Sequence, residues 1–334
     1  MSFTLSPRCR GWSAALATAL LWSGFFLSLR LGAEEKLPPQ TLALLRFGIP
    51  ALLLLPYYWR HRTRLHSVPL RWQLAMLTGA GLPFFWLGAT GMQLAPVAQG
   101  SALIPGTAPL MVSLLGLLLW REPCPAQRRC GLSLIALATA TLLLSGEPGL
   151  WQGQVCFLGA ALLWALFTLA VRHSGLAALD AAALVAVPSA LLLLPTLLWS
   201  PLPTVDHASI WLWQGLLQGI GAGLLAALCY AHAIRTLGAE ISSALGSLTP
   251  VMAAMLAWWL LGETISQPVW LALGLLCVGV VLASLPVWRG SGGGNISYAT
   301  SGAAGDRADR SQVASFCQTP AAGPAWRDET WQRR

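Results

Sequence analysis

The sequence predicts an all-α integral membrane protein in which ten transmembrane helices form two inverted repeats of five. Three observations support this fold class. Hydrophobic residues make up 56% of the 334 residues and charged residues only 10%, and the apolar residues form long uninterrupted runs. The same segments recur in the same order in the two halves of the chain. Lysine and arginine are concentrated in alternate loops between the runs.

Ten apolar segments are predicted to span the membrane, and the fifth is the shortest of them. A helix that rises 1.5 Å per residue needs about 20 residues to cross the hydrocarbon core. The predicted spans are residues 11–29, 39–59, 72–90, 96–119, 130–145, 154–171, 181–199, 211–233, 239–261 and 268–286.

The spans divide the chain into five parts. Residues 1–10 form a cytoplasmic N-terminal segment, residues 11–145 the first repeat and residues 154–286 the second. Residues 146–153 are predicted to be a periplasmic linker. Residues 287–334 are rich in Ser and Gly with scattered charges, which predicts a disordered cytoplasmic tail.

The two repeats are recognised by three pairs of matching segments. Because each repeat has an odd number of spans, the second copy is inverted relative to the first, an arrangement that is typical of alternating-access carriers. Arg30 and Arg172 also occupy matching positions. The pairs are Ala19–Trp22 with Ala161–Trp164, Ala51–Pro56 with Ala190–Pro195, and Pro96–Glu122 with Leu237–Glu263.

The distribution of positive charge predicts a multi-pass protein of the inner (plasma) membrane with both termini in the cytoplasm. In this orientation 17 lysine and arginine residues lie inside, only Arg30 and Lys36 lie outside, and Arg46 falls within a span. Positively charged short loops generally face the cytoplasm. Glu122 is then expected at the cytoplasmic mouth and Glu263 at the outer mouth.

Prolines near the middle of the fourth and ninth spans predict helix breaks at Pro105, Pro109 and Pro250. A proline lacks the amide hydrogen that closes the helical bond four residues back, so it frees a backbone carbonyl. Lipid offers no partner for that carbonyl, and such breaks are tolerated where they are buried in protein or line a wet cavity. Paired breaks in two repeats therefore predict a transport site.

These segments resemble the EamA branch of the drug/metabolite transporter superfamily over roughly residues 12–285. The resemblance implies ten helices and the export or exchange of small polar metabolites or drugs. The first copy departs from the pattern because Arg121 replaces the glycine before the glutamate and Pro105 adds a second break, so the resemblance does not establish the gate geometry of the first half. The segments that carry the resemblance are Ala19–Gly24, Glu34–Glu35, Pro38–Pro39, Leu42–Phe47, Gly238–Ala239, Leu248–Pro250, Leu261–Thr264 and Gly274.

Arg46 is the cation that the sequence places deepest in a predicted span, about seven residues or ~10 Å from its outer end. Burying an arginine near the membrane centre costs about 2.5–3.5 kcal/mol on insertion scales, so it needs a partner or water. It either attracts an anionic group of the substrate, or it snorkels outward or pairs with Glu34 or Glu35. The second copy has Val185 at the matching position, so a site built on Arg46 would be asymmetric.

Further candidates are polar and aromatic side chains in the spans. The polar ones either bind substrate or hold helices together, and the aromatic ones either line the cavity or pack as core. His232 is a candidate proton site or a satisfied interfacial residue. Glu122 and Glu263 are expected to act as gating or structural acids rather than to titrate. The substrate-binding candidates beside Arg46 are Trp22, Gln99, Thr107, Trp164, Tyr230, Ser243 and Ser247.

The sequence favours a secondary transporter, an exporter of an amino-acid-like metabolite or of a drug. The loops carry no phosphate-binding, zinc-ligand or nucleophile motif, so we predict no catalytic residue, no metal site and no cofactor. The net charge of +8 is explained by membrane orientation, so no nucleic-acid partner is expected. The predicted partners are a small-molecule substrate and the lipid bilayer, and a homodimer remains open. The alternatives are a membrane enzyme or lipid-handling protein, and a scaffold or sensor.

Overall fold

The computed structural model describes residues 6–145, 149–196 and 208–284, and every regular element in these ranges is a helix. The predicted tail and Cys317 lie outside them. The helices are α1 (Pro7–Glu34), α2 (Pro39–His66), α3 (Leu70–Ala80), α4 (Leu82–Leu94), α5 (Val97–Trp120), α6 (Ala126–Leu144), α7 (Trp151–Ser174), α8 (Ala178–Leu193), α9 (Ala208–Gln214), a π-helix (Gly215–Leu225), α10 (Ala226–Leu237), α11 (Ala239–Gly246), α12 (Thr249–Leu261) and α13 (Gln267–Ser284).

These helices make up the ten predicted transmembrane units, which confirms the fold class. Helices α3 and α4 together form the third unit, the run from α9 to α10 forms the eighth, and α11 with α12 forms the ninth. Seven units are long and apolar enough to cross a membrane, and α8 and α12 are shorter apolar helices. The remaining unit, α6, carries Arg128 and Arg129 in its first turn, which lowers its hydropathy.

The third unit is interrupted at Gly81. Its backbone adopts φ −92° and ψ −145°, and a Cβ at this position would lie 2.1 Å from the carbonyl oxygen of Leu77. Only glycine fits such a close approach, and Pro83 in the first turn of α4 removes a further backbone donor. The interruption therefore follows directly from these two residues.

The break that was expected in the fourth unit is absent, because α5 runs without interruption through Pro105 and Pro109. Each proline removes one hydrogen bond, but α5 is buried along most of its first half, so packing against neighbouring helices holds its axis. The missing bonds are local, and the helix continues to Trp120.

The ninth unit is divided, and Pro250 lies in the first turn of its second part, α12. The ring of this proline conflicts with a helical carbonyl at Gly246, where α11 ends. Side chains of other helices satisfy the carbonyls in the gap: the Ser23 hydroxyl donates to the Thr249 carbonyl (3.1 Å) and the Cys277 thiol donates to that of Ser247 (3.3 Å). The two copies of this stretch therefore differ in backbone as well as in sequence.

The repeats are intertwined. The first helix of each repeat packs against the third and fourth units of the other repeat. Helix α1 contacts α10 and α12, and α7 contacts α3, α4 and α5. Equivalent helices meet each other in the pairs α2 with α8, α5 with α12 and α6 with α13. Exchanging the two repeats leaves this contact pattern unchanged, as a pseudo-twofold relation requires.

The outer surface is apolar along the helices. Leu52, Leu118, Leu144 and Trp259 are among many large apolar side chains that are mostly exposed, Leu144 at 87%. A water-soluble protein rarely exposes a continuous apolar surface of this kind, so it is the face that lipid covers.

Gly79 provides a test of the packing between the repeats. A Cβ there would lie 2.5 Å from the Leu163 carbonyl oxygen and 2.6 Å from the Phe167 amide nitrogen, both in α7. Gly79→Ala should therefore force α3 away from α7 and lower the apparent Tm of the purified protein in thermal unfolding, at a cost of about 1–3 kcal/mol. Gly274→Ala is the matched control, because no heavy atom lies within 4 Å of its added Cβ. Equal Tm values for the two variants would contradict this packing.

Candidate functional site

The carboxylate of Glu263 joins the two repeats at one end of the helix bundle. Its oxygens accept a hydrogen bond from the Val97 amide at the start of α5 (3.0 Å to Oε2), and Oε1 lies 3.2 Å from Arg30 Nε in α1. Arg30 also donates to the Met92 carbonyl (3.1 Å) and lies within ion-pair distance of Glu34. Burial raises the pKa of the Glu263 carboxyl, and this effect outweighs the opposing influence of Arg30 and the Val97 amide.

A second ion pair of the same kind lies at the other end of α5. Arg172, at the end of α7, places Nη2 at 3.1 Å from Glu122 Oε1 and donates from Nη1 to Oε2 (3.1 Å). This bidentate geometry suits a guanidinium and a carboxylate. Glu122 follows α5 directly, whereas Glu263 binds the first residue of α5.

The two ion pairs are related by the repeat. Arg30 matches Arg172 and Glu122 matches Glu263, and each pair takes one residue from either repeat. They lie at opposite ends of α5, whose 24 residues span about 36 Å at the helical rise. The sequence showed both equivalences but not that these residues pair. The charge distribution could have revealed the pairing. It places Arg30 with Glu263 on the outer side of the membrane and Arg172 with Glu122 on the cytoplasmic side.

The helix before the glutamate ends in the same way in the two copies, which the resemblance did not establish for the first copy. Arg121 adopts the left-handed conformation (φ 55°, ψ 35°) that Gly262 adopts in the second copy (φ 67°, ψ 17°). In both copies the glutamate amide then bonds back to a carbonyl six residues earlier, from Glu122 to Gly116 and from Glu263 to Ala257. Helices α5 and α12 therefore end in the same way. Because Arg121 stands where the second copy has glycine, its left-handed conformation strains the backbone.

Arg46 lies between the two repeats. Its Nη1 donates to the main-chain carbonyl of Gln218 in the π-helix (3.3 Å), and its Cζ lies 5.2 Å from the centre of the Phe25 ring. Among the described residues, no carboxylate lies within ion-pair distance of Arg46. Glu34, one of the partners considered for it, pairs with Arg30 instead.

Gln218 is a polar residue that the sequence did not single out. Its side chain is fully buried, and neither Nε2 nor Oε1 has a hydrogen-bond partner. Leaving a buried polar group unpaired costs about 1–3 kcal/mol. One turn earlier, Gln214 is satisfied: its Oε1 accepts from the Ser28 hydroxyl and its Nε2 donates to the Ser28 carbonyl (2.9 Å). No pattern in the sequence distinguishes these two glutamines.

The π-helix that carries Gln218 packs tightly on α2. Glycines make this approach possible, since a Cβ at Gly219 would lie 2.9 Å from the Leu45 carbonyl oxygen, and one at Gly223 would lie 2.6 Å from Pro50 and 3.2 Å from Arg46 Nη1. Glycines four residues apart thus let the π-helix approach α2 closely. π-Helical turns occur often at functional sites because they displace side chains from the regular helical register.

The aromatic candidates lie at equivalent places between the repeats. Trp22 packs against Tyr230 with ring centres 5.2 Å apart, and Trp164 packs against Phe84 at the same distance. Trp22 and Trp164 are both partly accessible. Each pair joins the first unit of one repeat to the third unit of the other.

The polar candidates of α5 are satisfied within the protein. Gln99 accepts a hydrogen bond from Gln154 of α7 (3.0 Å), and the Thr107 hydroxyl donates to the carbonyl of Leu103 in its own helix (2.5 Å). Both are buried, so these contacts fit the alternative in which such residues hold helices together. Ser247 lies in the gap between α11 and α12, and the side chain of Ser243 is outside the described part. His232 is partly accessible near the end of α10.

A third cluster links the repeats at the Glu122 end. Asp180, which is buried in the first turn of α8, accepts from the Tyr57 hydroxyl (2.7 Å) and forms an ion pair with Arg64, both in α2. The sequence did not predict this contact, which depends on how α2 packs on α8. Among the described residues, no group of three or more His, Cys, Asp or Glu side chains is arranged to hold a metal ion.

Comparisons with known proteins agree with this architecture. The sequence profile of the EamA-like transporter family matches residues 10–144 and 151–285. The uncharacterized inner membrane transporter YedA of Escherichia coli strain K12 is 28% identical over 289 residues, which cover 81% of this chain and 90% of YedA. The uncharacterized transporter YoaV of Bacillus subtilis strain 168 is 21% identical over 277 residues, or 80% of this chain and 94% of YoaV. A solved structure entitled "Crystal structure of protein" has the same fold, with a TM-score of 0.58 at 19% identity over 83% of this chain and 97% of that chain.

The strain at Arg121 leads to a measurable expectation. A left-handed conformation costs a non-glycine residue about 1–2 kcal/mol, so Arg121→Gly should raise the apparent Tm of the purified protein. Gly262→Ala, at the equivalent position, introduces the same strain and should lower it. A Tm that falls in Arg121→Gly would mean that the arginine side chain makes a stabilising contact that exceeds the backbone cost.

Proposed function

The chain belongs to the EamA-like transporter family of the drug/metabolite transporter superfamily, and from this membership we propose that it is a secondary transporter of the inner membrane that exports a small metabolite, amino-acid-like or similar, or a drug. The transport step is alternating access, in which the two five-helix repeats rock about a central site. YedA, a relative, is named an inner membrane transporter, which supports the location. The excess of positive charge on one side supports cytoplasmic termini.

The observation that carries this proposal is the pair of equivalent ion pairs at opposite ends of α5. An alternating-access carrier needs a gate at each membrane face, and the gates of an inverted repeat are expected to be equivalent. Arg30 with Glu263 and Arg172 with Glu122 satisfy both requirements, since each pair crosses between repeats and the two lie on opposite faces.

The strength of these ion pairs suits gates that open. Partly exposed ion pairs contribute about 1 kcal/mol or less, so either can separate without unfolding the bundle. Both are formed here, which is the arrangement that the scheme assigns to an occluded intermediate. The Glu263 gate is the tighter of the two, because its carboxylate is only 10% exposed and also binds the start of α5.

Transport is tested by reconstituting the full chain in proteoliposomes and measuring flux and exchange over a panel of amino acids, hydroxy acids, nucleosides, sugars and cationic drugs. We expect saturable flux of at least one member, and flux that is lost when both gates are held closed by engineered disulfides. An absence of flux across the panel, while a related carrier is active in the same preparation, would overturn the proposal.

The gates are tested by single substitutions that open one face at a time. In a cysteine-free background, Ala98→Cys reports on the Glu263 face and Leu169→Cys on the Glu122 face, since both native side chains are buried. Arg30→Gln should raise the labelling rate of Ala98→Cys about fivefold, as expected for the loss of about 1 kcal/mol, and leave that of Leu169→Cys unchanged or lower. Arg172→Gln should do the reverse.

Glu34→Gln is the matched control for this experiment. It removes the contact of Arg30 within α1 but keeps the contact with Glu263, so labelling at Ala98→Cys should not change. If both arginine variants raised labelling at both reporters equally, the ion pairs would be general stabilising contacts and not gates.

A further inference from the structure

We propose that Arg46 and Gln218 form the anion-binding part of the transport site, and that the substrate is a small amphipathic monocarboxylate that carries a neutral hydrogen-bond donor such as a hydroxyl. This inference rests on the proposed transport function and names its substrate class. The site combines α2 of the first repeat with the π-helix of the second.

Arg46 supplies an uncompensated positive charge inside the bundle. Arg46 takes part in none of the four ion pairs among the described residues. Those pairs use three other arginines, Arg30, Arg64 and Arg172, whose partners are Glu34, Glu263, Asp180 and Glu122. Arg46 does not snorkel to the membrane surface, because its guanidinium donates to a main-chain carbonyl on a neighbouring helix and lies over the Phe25 ring. An anionic ligand of unit charge would neutralise it.

Gln218 is the second, independent sign of a ligand. Its side-chain amide is fully buried with both polar atoms unpaired. The main-chain carbonyl of the same residue accepts the hydrogen bond from Arg46. Buried polar atoms in native proteins are almost always paired, so an exception of this kind needs an explanation. A bound polar molecule would supply one.

The donor and acceptor set identifies the class of ligand. A guanidinium binds a carboxylate through two parallel hydrogen bonds. The amide of Gln218 adds one donor for the carboxylate and one acceptor, Oε1, for a hydroxyl of the ligand. An ammonium group on the ligand would lack a counter-charge among the described residues near Arg46, so a hydroxy acid should bind better than the corresponding zwitterionic amino acid.

The apolar part of the ligand follows from the surroundings. Phe25 lies under the guanidinium, and Trp22, one helical turn away on α1, packs on Tyr230. Across the pseudo-twofold axis the position of Arg46 is taken by Val185, which is buried and apolar. The guanidinium of Arg46 thus lies beside an aromatic ring, and a cation next to an apolar surface suits an amphipathic molecule.

The test uses four probes that share a phenyl ring: 3-phenyllactate, 3-phenylpropionate, phenylalanine and phenethylamine. Binding to the purified full-length protein is measured by isothermal titration calorimetry. We expect 3-phenyllactate to bind most tightly, 3-phenylpropionate to bind more weakly because it lacks the hydroxyl, and the amine not to bind. The proposal would be overturned if phenethylamine bound most tightly, or if neither 3-phenyllactate nor 3-phenylpropionate bound at millimolar concentration.

Substitutions separate a binding role from a structural one. Gln218→Met removes two unpaired polar atoms, so it should raise the apparent Tm of the ligand-free protein and weaken 3-phenyllactate binding about tenfold. Gln214→Met makes the same change where the amide is satisfied by Ser28, so it should lower the Tm. Arg46→Gln should abolish the preference for carboxylates. A Tm that falls in Gln218→Met with binding unchanged would overturn the role of Gln218.

Failure of this binding site can be distinguished from failure of the proposed transport function, because binding and flux are measured separately. Binding is measured in detergent, where no flux is possible, and flux is measured with a panel that includes other classes of solute. Flux of another solute without binding of the carboxylates would overturn the site and leave transport standing. Carboxylate binding without any flux would support the site and overturn transport.

Discussion

Ion pairs near the two ends of the helix bundle tie the two repeats together, because a charged side chain that is partly withdrawn from water is stabilised by an opposite charge in the protein. Three of the four described ion pairs join the first repeat to the second: Arg30 with Glu263, Arg64 with Asp180, and Arg172 with Glu122. The fourth is local to α1. The halves are therefore held by contacts near the membrane faces, while the middle of the bundle is held by apolar packing, glycine contacts and a few hydrogen bonds. In the proposed scheme, contacts so placed would permit the halves to rotate about the middle.

Helix α5 connects the two ion pairs that join the repeats at opposite ends of the bundle. Glu263 accepts a hydrogen bond from the amide of Val97, the first residue of α5, and Glu122 follows the C-terminal end of α5. In the proposed scheme, movement at one gate would therefore act on the helix that ends at the other. The equivalent unit of the second repeat is divided between α11 and α12. The contact between these two units therefore pairs a continuous helix of one repeat with an interrupted helix of the other.

The sequence predicted the spans, the duplication and the inversion because these depend on hydropathy and on local similarity. It did not predict the pairing of Arg30 with Glu263, since that contact depends on how α1 of one repeat packs on units of the other. It also overestimated the effect of Pro105 and Pro109, because a proline weakens a helix locally while burial decides whether it breaks. Gln218 was missed because only three-dimensional structure separates an unpaired glutamine from Gln214, which is paired.

Arg46, which has no equivalent in the second repeat, bears on how substrate binding and conformational change are coupled in the proposed scheme. A carrier that occludes its site must desolvate Arg46, and this is costly while the charge has no counter-ion. A bound carboxylate removes most of that cost, so the loaded carrier passes through the occluded state more readily than the empty one. A ligand shifts a conformational equilibrium only by its differential affinity for the two states, and neutralising a desolvated cation provides that difference. In this scheme Arg46, which has no carboxylate partner among the described residues, would therefore favour exchange of anions over return of the empty carrier.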